Sequence, residues 1–167
     1  MFCISTFIRK NNYLKNTFLV SLTALLLRIG FGTSNFLSIF CWIALIPLFV
    51  CIKDKNKKYA FICGLFTGIL FWVLTIFWLS YVTLIGNILL IIYLSLYFAI
   101  FCFFVLRELK RNSIFSSLKI SCIWVILEFL RLKLFTGFGW ALLGYSQYRN
   151  TYLIQSAEIF GTLGLSF

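Results

Sequence analysis

Long apolar runs alternating with short basic clusters constrain this chain more than any other feature. The runs fall at about 17–31, 35–52, 59–82, 88–106 and 118–135. Three clusters flank them: Arg9, Lys10 and Lys15; Lys53, Lys55, Lys57 and Lys58; and Arg107, Lys110, Arg111 and Lys119. Together they hold 11 of the 15 Lys and Arg. A hydrocarbon core about 30 Å thick needs about 20 apolar residues per crossing helix, and most of these runs come close to that length. Residues are 62% hydrophobic and 11% charged, where a soluble domain carries about 25% charge. A water-soluble fold of 167 residues could not hide 21 Phe, 8 Tyr and 5 Trp. The expected fold class is an all-α integral membrane domain with five transmembrane helices and the start of a sixth.

A net charge of +11 would suggest a nucleic-acid partner in a soluble protein. Here the basic residues gather beside hydrophobic runs, the pattern of cytoplasmic loops. They imply contact with anionic headgroups and no nucleic-acid binding. Counting turns places the N-terminus and both basic loops in the cytoplasm. The far side keeps only Arg28, Arg131, Lys133 and Arg149.

Individual segments refine this layout. A charged segment before an apolar run also describes a signal peptide, but no small-x-small site follows. An uncleaved first helix is expected, with Arg28 reaching back to the interface. Pro47, the one proline, predicts a kink in the second run. Gly64-Leu-Phe-Thr-Gly68 is a GxxxG motif, which predicts close helix approach within the chain rather than a dimer face. Thr83 to Asn87 is too short for anything but a tight antiparallel hairpin. Thr151 to Phe167 begins amphipathic, with Gln155 and Glu158, and then turns apolar. It resembles the approach to a sixth helix, and a membrane chain is expected to continue beyond such a point.

Chemistry-bearing residues are few. The chain has no His, which excludes Ser-His-Asp triads, Cys-His pairs and zincin motifs within these residues. The six Cys show no C-x-x-C or metal spacing, so neither a metal nor another cofactor is implied. Of four acidic residues, Asp54, Glu108 and Glu158 are expected to be solvated partners of nearby cations or part of a polar face. Glu128 differs, because it sits inside an apolar helix, where an ionisable group costs about 2.5–3.5 kcal/mol on insertion scales. Trp124, Glu128 and Arg131 share one helical face. Two compatible readings follow: a self-neutralising pair that fixes packing, or the polar wall of a cavity that admits a lipid headgroup. After this helix come the Gly- and aromatic-rich segments Thr136-Gly-Phe-Gly-Trp140 and Gly144-Tyr-Ser-Gln147. Irregular backbone at membrane depth is tolerated only against protein or water.

At these residues the sequence resembles the bacterial apolipoprotein N-acyltransferases. The likeness is carried by W-x-x-x-E-F-L-R (Trp124 to Arg131), TGF-x-W (Thr136 to Trp140), L-G-Y-S-Q (Leu143 to Gln147) and the following LIQSAEIFGTLGLSF. Weaker echoes are Trp42-Ile-Ala-Leu-Ile-Pro-Leu48, Phe77-Trp78 and Tyr93-Leu-Ser-Leu-Tyr97. The family usually has Gly at the position of Leu132 and Pro at that of Gly139.

The resemblance implies an enzyme of the bacterial cytoplasmic (inner) membrane, with eight helices and a nitrilase-like domain inserted on the outer face. Such enzymes transfer an acyl chain from a phospholipid donor to the N-terminal cysteine of a lipidated apolipoprotein acceptor. They do so through a thioester on a Glu-Lys-Cys triad. That triad belongs to the nitrilase-like domain, expected after Phe167, and none of the cysteines here matches the nucleophile. Residues 1–167 are therefore expected to form a single membrane domain that is inactive alone. Glu128, Arg131, Gly137, Trp140, Tyr145 and Gln147 are the expected lipid-side residues. A non-enzymatic lipid-binding or transporter subunit is the alternative, and the absence of paired repeats counts against it.

Overall fold

The computed structural model describes residues 2–32, 36–111, 113–135 and 137–167, with side chains from residue 13 onward. Asn35, the expected start of the second run, and Thr136 of the TGF-x-W segment lie outside the described residues, as do the side chains of Arg9 and Lys10. Among the described residues every regular element is a helix and there is no strand. Helix α1 runs unbroken over Phe2–Gly30. The basic N-terminal segment continues into the first apolar run because no Gly or Pro intervenes before Gly30.

The second run is broken. A 3₁₀ turn at Leu37–Ile39 leads into α2 (Phe40–Ile43) and then α3 (Ile46–Ile52). The interruption at Ala44 and Leu45 lies just before Pro47. Proline has no N–H to give the carbonyl four residues back, and its ring crowds that carbonyl. The expected kink is present.

Helix α4 (Lys57–Ile76) starts where the Asn56 side chain accepts the Tyr59 N–H at 2.8 Å, and ends in a 3₁₀ stretch, Phe77–Tyr81. Helix α5 (Leu84–Leu109) begins four residues earlier than the sequence predicts. Thr83 Oγ1 caps it by accepting the Gly86 N–H at 3.3 Å, and Asn87, which reads as a loop residue, is buried in its first turns. Only Val82 and Thr83 then separate the two helices. Gly64 and Gly68 let them touch: a Cβ on Gly64 would lie 2.5 Å from the Phe98 carbonyl oxygen, and one on Gly68 would lie 2.8 Å from Ser95 Cα. The GxxxG motif serves intramolecular packing, as expected.

Helix α6 (Ile114–Lys133) packs on α5. The chain beyond it is irregular to Leu142, forms a 3₁₀ turn at Leu143–Gln147, and ends in α7 (Thr151–Gln155) and α8 (Ala157–Ser166). The segment read as the approach to a sixth helix is thus helical but discontinuous. Gly161, at φ 67° and ψ −179°, breaks α8 internally.

Among the described residues two stretches are long and apolar enough to cross a membrane, Lys57–Tyr81 and Leu84–Leu109. At 25 and 26 residues each would reach about 38 Å. The segment Leu37–Ile52 is apolar but shorter, and α6 carries Lys119, Glu128, Arg131 and Lys133 within its 20 residues. The outward faces of α4 and α5 are apolar, with Ile62, Phe66, Ile88, Leu89 and Ile92 exposed, as suits a lipid environment. Inside, one cluster joins Leu48, Ile52, Phe101 and Val105, and a second joins Leu27, Phe71, Trp72 and Leu94. Trp124 packs against both, with its ring edge-on to Phe98 (5.4 Å) and Phe101 (4.8 Å).

Glu108 departs from the sequence expectation. It does pair with nearby cations, Arg111 at 3.5 Å and Lys119 of α6 at 3.9 Å, but it is buried in the last turn of α5 rather than solvated. Those contacts tie the start of α6 to the end of α5.

The α4–α5 contact makes a direct prediction. Gly64→Val should lower the thermal unfolding midpoint of the lipid-reconstituted protein, at a cost of about 1–3 kcal/mol from overpacking against backbone. An unchanged midpoint, or a loss of dimer in place of a loss of stability, would assign the motif to another interface.

Candidate functional site

The described residues singled out between Trp124 and Gln147 lie on α6 or on the chain that follows its end. Lys133 is its last residue, and the turn that follows needs unusual backbone. Phe135 lies at φ 54° and Gly137 at φ 72°. Gly is required at 137 for a second reason, since a Cβ there would lie 2.5 Å from the Leu132 carbonyl oxygen. The Phe138 N–H then donates to the Arg131 carbonyl at 2.9 Å, turning the chain back against α6. A Cβ on Gly139 would sit 3.1 Å from Leu132 Cδ2. Leu132 and Gly139 therefore meet. The larger residue at one position occupies space that the smaller residue at the other leaves open.

Glu128 and Arg131 are 4% and 5% exposed, so both are removed from solvent although they sit near a helix end. Glu128 Oε1 accepts the Leu143 N–H at 2.7 Å, and Arg131 Nη2 donates to the Ala141 carbonyl at 3.3 Å. Arg131 Nη2 lies 4.0 Å from Glu128 Oε1. The guanidinium also covers the Trp72 ring on α4, with Cζ 5.1 Å from the centroid. The two side chains thus grip both ends of Ala141–Leu143, while Ala141 itself sits at φ 50°. The clamp holds a strained backbone that has no regular structure of its own.

The cavity that the pair faces is lined by Leu27, Phe71, Leu94, Tyr97, Trp124 and Leu143 among others, and its volume is about 30 Å³. That is room for about one or two water molecules. The packing reading of the Glu128–Arg131 pair accounts for the contacts that both side chains make.

The remaining expected site residues divide into buried ties and an exposed surface. Gln147 is buried and donates through Nε2 to the Ser38 carbonyl at 3.1 Å and to Ser146 Oγ at 3.0 Å, fastening the 3₁₀ turn to the segment before α2. Tyr145 is 42% exposed and Trp140 is 54% exposed. The Trp140 ring stacks on Trp78, with centroids 5.0 Å apart and planes 28° apart, and neighbours Phe138, whose own ring meets Trp72 edge-on. Tyr93 of the YLSLY echo packs edge-on against Phe135 at 5.4 Å.

Three participants were not legible in the sequence as site residues. Trp72 supports Arg131 from a different helix. Ser38 lies 109 positions from Gln147. Ser166 Oγ accepts the Gly144 N–H at 2.9 Å, and a Cβ on Gly144 would lie 2.4 Å from the Thr162 carbonyl oxygen. No local pattern marks a lone Ser or Trp for such a contact.

If the buried pair acts as one clamp, its members are coupled. Removing one partner of a buried ion pair costs about 3–5 kcal/mol, because the other is left uncompensated. Glu128→Gln and Arg131→Met should each destabilise the protein strongly, and the double variant by clearly less than their sum. Strict additivity in thermal unfolding would show that the two residues act separately.

Comparison with known proteins agrees with this region. Residues 16–167 match the family model for the apolipoprotein N-acyltransferase N-terminal domain. The apolipoprotein N-acyltransferase of Geobacter metallireducens is 38% identical over 159 residues, covering 87% of this chain and 30% of that protein. Apolipoprotein N-acyltransferase 1 of Treponema denticola is 31% identical over 129 residues, covering 77% and 24%. That of Chlorobaculum tepidum is 30% identical over 158 residues, covering 92% and 30%. The chain spans less than a third of the length of these relatives. It belongs to the apolipoprotein N-acyltransferase family and carries that family's N-terminal domain.

Proposed function

We propose that these 167 residues form the membrane portion of an enzyme that moves an acyl chain from a phospholipid to the N-terminal diacylglyceryl-cysteine of a lipoprotein. The single observation that carries the reading is the exposed Trp140, stacked on Trp78 and mounted on a turn that the buried Glu128 and Arg131 hold in place. A rigid, half-exposed aromatic pair suits the boundary between acyl chains and headgroups. In this reading Trp140 and Tyr145 face lipid, while Gly137, Glu128, Arg131 and Gln147 form the frame behind them.

Five spans are proposed: α1; the kinked Leu37–Ile52 segment; Lys57–Tyr81; α5; and α6. The N-terminus and both basic loops lie in the cytoplasm of a bacterium, and the segment at 136–150 lies on the outer face of its cytoplasmic membrane. The uneven distribution of Lys and Arg supports that orientation. Cysteine-scanning with a membrane-impermeant maleimide tests it. Arg149→Cys should label in intact cells, and Lys55→Cys only after permeabilisation; the reverse pattern would invert the topology.

The role proposed for these residues is anchoring and lipid presentation, with bond-making left to a thiol nucleophile outside residues 1–167. Of the cysteines whose side chains are described, Cys41, Cys51, Cys63 and Cys102 are buried and Cys122, on α6, is exposed. The 167-residue polypeptide, reconstituted with phospholipid and a diacylglyceryl-cysteine peptide, should give no N-acylated peptide by mass spectrometry. Product above the level of protein-free liposomes would overturn this division of labour.

A further inference from the structure

The face that carries Trp124, Glu128 and Arg131 has more polar atoms than its protein contacts use. Trp124 Nε1, Glu128 Oε2 and Arg131 Nε are all buried and have no hydrogen-bond partner among the described residues. All three residues line the same cavity of about 30 Å³. Two further polar atoms of the clamp are engaged, Glu128 Oε1 with Leu143 and Arg131 Nη2 with Ala141. Buried donors and acceptors are rarely left unmatched, because desolvation without replacement is unfavourable. Three on adjoining turns of one helix, around one small space, point to a shared ligand.

We propose that this cavity is a binding site for one structural water molecule, which links Trp124, Glu128 and Arg131 into a single network. The volume suits water, about one or two molecules at most. The chemistry is selective as well. Indole Nε1–H and guanidinium Nε–H can only donate, and an ionised carboxylate can only accept. A water oxygen accepts from both donors while one of its hydrogens goes to Glu128 Oε2. A small anion would satisfy the donors but meet the carboxylate, and a small cation would satisfy the carboxylate but meet the guanidinium. An apolar group, such as the end of an acyl chain, would leave all three atoms unmatched. The water extends the clamp on Ala141–Leu143 one turn further along α6, to the Trp124 ring wedged against Phe98 and Phe101. The site stands on the geometry of the clamp and does not depend on whether the chain handles lipid.

Water-edited solid-state NMR on the lipid-reconstituted protein tests the site directly. Ile123–Trp124 is the only Ile–Trp pair in the sequence, so selective labelling of that pair assigns the Trp124 signals without any substitution. Polarisation from water should reach the Trp124 indole N–H at short mixing times. The indole of Trp72, whose Nε1 is likewise buried without a partner but which does not line the cavity, serves as the internal control and should receive several-fold less. No transfer to Trp124 would overturn the proposal. Equal transfer to Trp72 would do the same, since it would report general water penetration of the bundle rather than one bound molecule.

Discussion

The hydrogen bond from the Leu143 N–H to Glu128 Oε1 is the contact on which the chain beyond α6 depends. It joins a carboxylate in the penultimate turn of α6 to a backbone group fifteen residues later, across a turn with three residues at positive φ. Arg131 completes the arrangement by holding the Ala141 carbonyl and by neutralising Glu128 inside the protein. A charged group in an apolar setting is tolerated when its partners are fixed in place. Here both partners are on one helix, three residues apart, and the object they hold is the irregular chain. Charge in the membrane-facing bundle is therefore used to order backbone that has no helix to order it.

The clamp in turn needs a firm floor, which α4 and α5 supply. Their close approach at Gly64 and Gly68 brings Trp72 and Phe98 into the same layer. Trp72 carries Arg131 on its face, and Phe98 takes the edge of Trp124. The same helix pair ends, at its 3₁₀ stretch, in Trp78, the platform for Trp140. Small residues in one part of α4 thus determine where large aromatics stand elsewhere along it. W-x-x-x-E-x-x-R, the glycine turn and L-G-Y-S-Q form one mechanical unit.

Much of the fold was legible from residue pattern. The helical class, the proline break, the tight α4–α5 connection and the intramolecular use of GxxxG all follow from local rules about backbone and side-chain size. Element ends were less legible. α5 starts at Leu84 because the Thr83 hydroxyl caps it, although Gly86 and Asn87 read as loop residues. Glu108 looked solvated because it stands among loop cations, yet the packing of α6 on α5 buries it. In the site, the exceptional status of Glu128 was plain from an acid inside an apolar helix. Its partner was not, since a backbone N–H at Leu143 carries no mark in the sequence.

By itself the sequence determined a helical, membrane-suited chain, the residues where its helices break or touch, and the family to which it belongs. These properties depend on local quantities: hydrophobic run length, the positions of Gly and Pro, and the spacing of a short motif. Tertiary structure alone decided that Glu128 and Arg131 face a space of about 30 Å³, that Trp140 rests on Trp78, and that Gln147 reaches Ser38. Each of these joins residues far apart in the chain. Such contacts depend on the angles and offsets at which whole helices pack, which no single segment encodes.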